Sequence, residues 1–150
     1  MDTSTLETAL LSDPYTRRQF GAVCAADELP GTVDKRPSIY IVNTDYAADP
    51  GQHWICMYVG RMNSDFYDPL AHPPQMEFRN FLTRNSYSGY LMNTKKLQAF
   101  DSDTCGHHCL YFAFFRSRGI PMEYIVQSFT SDYAFNDWMV RQFVFDVFGM

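Results

Sequence analysis

Two strand-like segments, Gln52 to Val59 (QHWICMYV) and Ser64 to Asp68 (SDFYD), flank Gly60-Arg61-Met62-Asn63. Strand-favouring aromatic and β-branched residues on both sides of a short turn-forming link define a β-hairpin. An isolated hairpin is marginal in water, so this one requires further strands or helices to cover it. A register with Val59 facing Met62, or Tyr58 facing Asn63, carried outward along the strands puts His53 opposite Asp68. A carboxylate across an antiparallel pair lies close enough to hold an imidazole, which is the relation a general base needs with its orienting acid. The same residues also read as an ordinary strand histidine and a turn-opening aspartate before Pro69, and the hairpin alone does not decide between them.

A base needs a nucleophile. Asp103 or Thr104 is placed to cap a helix predicted over Cys105 to about Ser117, closed by Gly119 with Pro121 beyond. A thiol attacks only as thiolate, and the unpaired amides of a helix N-terminus favour that form. Cys105 stands at this start, and Gly106 beside it leaves room for a substrate backbone. The histidines available as partners are His53, His72, His107 and His108.

The rest of the chain reads as one α+β domain, residues 1–150. Ser4-x-x-Glu7 ahead of Leu10 and Leu11 predicts a capped helix over about 4–12, and Ser38 to Asn43 (SIYIVN) a buried strand followed by a turn at Asp49-Pro50-Gly51. Pro73-Pro74 opens a helical stretch to about Arg84; Ser86 to Gln98 reads as loop with one or two short strands. Ser131-Asp132 caps a last helix towards Phe148. Thirteen Phe and ten Tyr imply an aromatic core. A net charge of −5 disfavours nucleic-acid binding through a broad basic surface, although Arg17-Arg18 and Lys95-Lys96 are local exceptions. With no apolar run of membrane length and no leader-like N-terminus, we expect an intracellular protein without membrane association, whose Cys24, Cys56, Cys105 and Cys109 are free thiols.

Ile41-Val42-Asn43-Thr44, followed after seven residues by Gln52-His53-Trp54, resembles the adenovirus proteinase family around its catalytic histidine. Phe66-Tyr67-Asp68-Pro69-Leu70 is similar to that family's aromatic-acid-proline element, and Gln98 with Cys105-Gly106 seven residues on is similar to its glutamine and nucleophile. The order His, Asp, Gln, Cys is shared with SUMO-type proteases of the same clan. The resemblance implies a papain-like fold, a central mixed sheet flanked by helices with the nucleophile at the start of a central helix. It assigns Cys105 as nucleophile, His53 as base and then acid, Asp68 as orienter, and Gln98 as an oxyanion donor beside the Cys105 amide. Trp54 and Gly106 would shape a narrow groove for glycine-containing sites in protein substrates, Trp54 otherwise being a core residue. A viral member would process capsid or polyprotein precursors in the host nucleus and virion.

The departures bear on activators. The family's activating peptide attaches through a cysteine upstream of the glutamine, and here none lies between Cys56 and Cys105. The family also uses DNA as a cofactor, whereas this chain is acidic, so weak or absent DNA binding is expected and no cofactor is required. Two rival readings stay open: a protease for ubiquitin-like proteins, and a zinc-binding interaction module built on Cys105-Gly-His-His-Cys109. Structural zinc takes four ligands, and only Cys24, Cys56 and His72 remain to complete such a set.

Overall fold

The computed structural model describes residues 1–150. Its elements in order are α1 (Thr3–Ser12), α2 (Pro14–Arg18), β1 (Phe20–Ala25), a 3-10 turn (Ala26–Glu28), β2 (Ser38–Asn43), β3 (Trp54–Val59), β4 (Ser64–Tyr67), α3 (Met76–Asn85), β5 (Tyr90–Met92), α4 (Cys105–Ser117), α5 (Met122–Gln127) and α6 (Tyr133–Phe148). The strands form one mixed sheet in the order β1-β2-β3-β4-β5, with β1 parallel to β2, β4 parallel to β5, and the inner pairs antiparallel.

Alternation along the inner strands explains why helices cover both faces. Ile39 and Ile41 of β2, with Trp54 and Cys56 of β3, point into a core shared with Leu6, Leu10, Cys109, Phe112 and Val140. The intervening Tyr40, Val42, Ile55 and Met57 point the other way, onto Phe78, Phe81 and Leu82 of α3. A sheet buried on both faces produces the continuous apolar runs seen in the sequence. Aromatic packing ties the layers together: Tyr67 stacks on Phe112 with ring centroids 4.4 Å apart.

The hairpin forms in a different register from the expected one. Val59 faces Ser64 and Met57 faces Phe66, a slip of two residues, because the Gly60 amide bonds the Asn63 carbonyl at 3.0 Å and only Arg61 and Met62 span the turn. A slip of two preserves which side chains share a face. His53 and Asp68, just beyond the paired segments, are therefore diagonal neighbours, a separation that long side chains still bridge.

Other boundaries also move. Asp2 caps α1 by accepting from the Thr5 amide at 2.8 Å, in place of the predicted Ser4 box. A carboxylate is the better partner for the positive end of a helix. The turn after β2 closes at Tyr46–Asp49, two residues short of Gly51, and α3 starts at Met76, after both prolines. Helix α4 spans the predicted residues and stops where Gly119 takes φ +89°. Strand β1 and helices α2 and α5 were not expected.

Asp65 of β4 is buried on the sheet, where Arg116 Nε of α4 donates to it at 2.7 Å and the guanidinium lies 3.9 Å from the Tyr58 ring centre. Burial raises the Asp65 pKa even against the pull of Arg116. Arg116→Ala strands a carboxylate in low dielectric and is expected to cost about 3 kcal/mol of unfolding free energy at neutral pH. Chemical denaturation checks this, and adding Asp65→Asn should recover part of the loss.

Candidate active site

Helix α4 begins where β3 and β4 open out, bringing three separate parts of the chain to one cleft. His53 precedes β3, Asp68 follows β4, and Cys105 is the first residue of α4. His53 Nε2 and Asp68 Oδ1 are 2.7 Å apart, with the histidine side chain 14% exposed and the aspartate 4%. Since Nε2 is taken, Nδ1 is the nitrogen left for the Cys105 thiol, which is near enough for each group to shift the other's proton affinity.

Those shifts run in opposite directions. Burial opposes charge on His53, but Asp68 and then Cys105 outweigh it and hold the pKa up at about 9. Burial likewise raises the Cys105 thiol, but His53 and the backbone amides of Trp54 and Gly106 bring it below its ordinary value. A lowered thiol facing a raised imidazole stabilises the thiolate–imidazolium pair around neutral pH.

The other cysteines lack such an environment. Burial pushes Cys24 up to about 12 and raises Cys56 and Cys109 as well. Cys109 lies in the core one turn below Cys105, and no group of three or more His, Cys, Asp or Glu side chains could hold a metal.

Asp68 is fixed by a residue the sequence did not single out. Asn93 Oδ1 accepts from the Asp68 amide at 2.9 Å, and its Nδ2 donates to the Asp68 carbonyl at 2.7 Å. Asp68 Oδ1 also accepts from the Leu70 amide at 2.8 Å. These bonds set the carboxylate before any substrate arrives. The local signal was slight, because an asparagine between a short strand and Lys95-Lys96 reads as a loop residue.

A second buried network supports the start of α4. Asp137 Oδ1 of α6 accepts from Thr104 Oγ1 at 2.8 Å and pairs with His108 Nε2 at 2.9 Å. Thr104 thus takes the N-cap position without capping through its side chain. Its diverted hydroxyl leaves the first amides of α4 free to meet negative charge at Cys105.

Gln98 and Gly106 are not placed as expected, whereas Trp54 fits both of its expected readings. Gln98 is buried and does not line the cleft; its Nε2 donates to the Ser102 carbonyl at 3.0 Å and the Ser102 hydroxyl at 3.1 Å. Its amide hydrogens are thereby committed to the loop entering α4. Trp54 lines the cleft but is 8% exposed, because its indole donates to the Met1 carbonyl at 3.0 Å. Gly106 is covered by Met1, whose Cβ and Sδ lie 3.2 Å from where a Gly106 side chain would begin.

No protein-family model matches the chain, and no curated protein matches its sequence. Among solved structures, the ASFV pS273R protease matches with a TM-score of 0.65 and 12% identity, over 91% of this chain and 65% of that one. A selenomethionine structure of the same protease gives 0.47 and 17%, over 70% and 45%. The chain thus spans about 65% of the length of that protease. Its fold is the α+β, papain-like one, a five-stranded mixed sheet flanked by helices.

Proposed function

We propose that the chain is a cysteine endopeptidase in which Cys105 is the nucleophile, His53 the general base and acid, and Asp68 the group that orients His53. The observation that carries this reading is the 2.7 Å His53–Asp68 pair set against a thiol of lowered pKa at a helix N-terminus. The Cys105 thiolate attacks the scissile carbonyl carbon, and its backbone amide donates to the developing oxyanion. Protonated His53 then passes its proton to the departing amine as the C–N bond breaks, leaving a thioester. Water, deprotonated by His53, attacks the thioester; the acid product leaves and the thiolate–imidazolium pair returns.

In this reading Gln98 acts through Ser102, holding the loop that enters α4; to donate to the oxyanion itself it must first leave Ser102. The substrates we propose are viral or mobile-element precursor proteins cut at small-residue, glycine-containing sites. The sequence elements similar to the adenovirus proteinase support this choice. A Gly-Gly peptide carrying an electrophile, set against a panel of ubiquitin-like proteins, separates it from a protease of the ubiquitin-like type.

The activated thiol has its own test. Alkylation of Cys105 by iodoacetamide, followed by peptide mass mapping, should set in below the ordinary thiol pKa of 9.0. In His53→Ala the midpoint should move up, because the largest stabilising partner of the thiolate is gone. A midpoint that is ordinary in the parent and unmoved in the variant removes His53 as the activating base.

A further inference from the structure

The cleft around Cys105 and His53 has a volume of about 1050 Å³, and its carboxylates outnumber the positive groups that line it, the Met1 amino group and the His53 imidazolium. Asp2, Glu28, Asp49, Asp68 and Asp103 line it, and neither Lys nor Arg does. Asp68 is engaged with His53, and Asp103 is paired from outside by Arg141 at 2.8 Å. Asp2 is held ionised, with a lowered pKa, by the Thr5 amide that it caps and by the nearby amino group of Met1. Glu28 and Asp49 have no cationic partner.

These carboxylates come from different elements, α1, the 3-10 turn, the β2–β3 connection and the loop before α4, and they do not gather into a metal site. Carboxylates spread along a cleft suit an extended ligand with several cations better than a single ion. The rim adds aromatic faces of the right kind. Phe100 is 87% exposed at the cleft edge, and Tyr46 lies about half exposed on its wall. The chain's own Lys96 ammonium already lies 5.9 Å from the Phe100 ring centre, the contact an incoming Lys or Arg would make.

Resting on the peptidase reading for its catalytic half, we propose that this cleft selects polypeptide segments carrying Lys or Arg close to the cleavage site. A cleft with an excess of one charge concentrates ligands of the opposite sign and disfavours those of its own. Glycine-containing sites embedded in basic sequence are thus the preferred substrates, and sites flanked by Asp or Glu are disfavoured.

The test uses Cys105→Ala, so that binding is read without turnover. Fluorescent peptides share one glycine-containing core and differ only in flanks of Lys and Arg, Gln, or Glu. At low ionic strength the basic series should bind at least about tenfold tighter than the acidic one, with the neutral series between. The gap should shrink as salt rises, since these charges face water. A Glu28→Gln, Asp49→Asn double change on the same background should reduce the ratio to about a third or less. Equal affinities for the three series, or a ratio the double variant leaves unchanged, overturn the proposal. The two readings fail separately: charge-ordered binding without cleavage by the unmodified protein removes the peptidase alone, and cleavage without charge order removes this inference alone.

Discussion

Cys105→Ala is expected to reduce peptidase turnover at least about a thousandfold while the protein keeps its fold. The thiol meets His53, the amides of Trp54 and Gly106, and the N-terminus of α4, a set of contacts no other cysteine has. Cys24, Cys56 and Cys109 are shifted the opposite way, because burial without a compensating cation favours the neutral thiol. Alanine at Cys24 or Cys56 should therefore keep turnover within a few-fold. Cys109 is fully buried one turn below Cys105, so Cys109→Ala should lower thermal stability modestly and preserve the chemistry. The measurement is kcat/KM on a glycine-containing peptide, with circular dichroism to confirm folding. Residual turnover in Cys105→Ala matching the parent, or loss of turnover in Cys109→Ala with the fold intact, would place the nucleophile elsewhere.

What the sequence disclosed and what it hid follow from the range of the forces involved. The extent of helix α4 was legible because its Gly119-x-Pro121 stop is local chemistry, although the side-chain cap expected from Asp103 or Thr104 at its start does not form. The His53–Asp68 pair was legible although the proposed register was not, since an error of two residues leaves both side chains on one face. Strand β1 (FGAVCA) is rich in small residues and draws its stability from lying beside β2, so its own sequence gives little strand signal. Helices α2 and α5 span five and six residues, too few for a 3.6-residue period to emerge.

Contacts between distant segments were hidden altogether. Asp137 reaches Thr104 across 33 positions, and that bond directs the Thr104 hydroxyl away from the helix end. Gln98 turns to Ser102, four residues on, through a loop conformation that spacing does not specify. The cover that Met1 places over Trp54 and Gly106 joins residues more than fifty positions apart. Residue types were thus readable at the site, while the direction in which Gln98 and Trp54 point depended on partners that only the folded chain supplies.

Asp68 carries the second large effect, and two substitutions separate its two contributions. Its Oδ1 accepts from both His53 Nε2 and the Leu70 amide, so Asp68→Ala frees the imidazole to rotate and leaves the half-buried Leu70 amide without this partner. We expect kcat/KM to fall at least on the order of a hundredfold, as when the orienting acid of a triad is lost. Asp68→Asn keeps the volume and one acceptor oxygen, with the amide group directed towards the exposed His72 side, so orientation survives and only charge is lost. The loss is expected to be smaller than in Asp68→Ala. The sign of the pH effect follows from what holds imidazolium in place. Against burial, the Asp68 hydrogen bond and charge raise His53 to about 9, so the proton needed by the leaving amine is lost only as pH rises through that value. Without the carboxylate charge, burial weighs more, the His53 pKa drops, and the alkaline limb of kcat/KM moves to lower pH in the Asn variant. Full pH profiles of the parent and both variants provide the check. An alkaline limb that stays in place in Asp68→Asn, or an Asp68→Ala enzyme retaining most of its turnover, would show that His53 is oriented and charged by something other than Asp68.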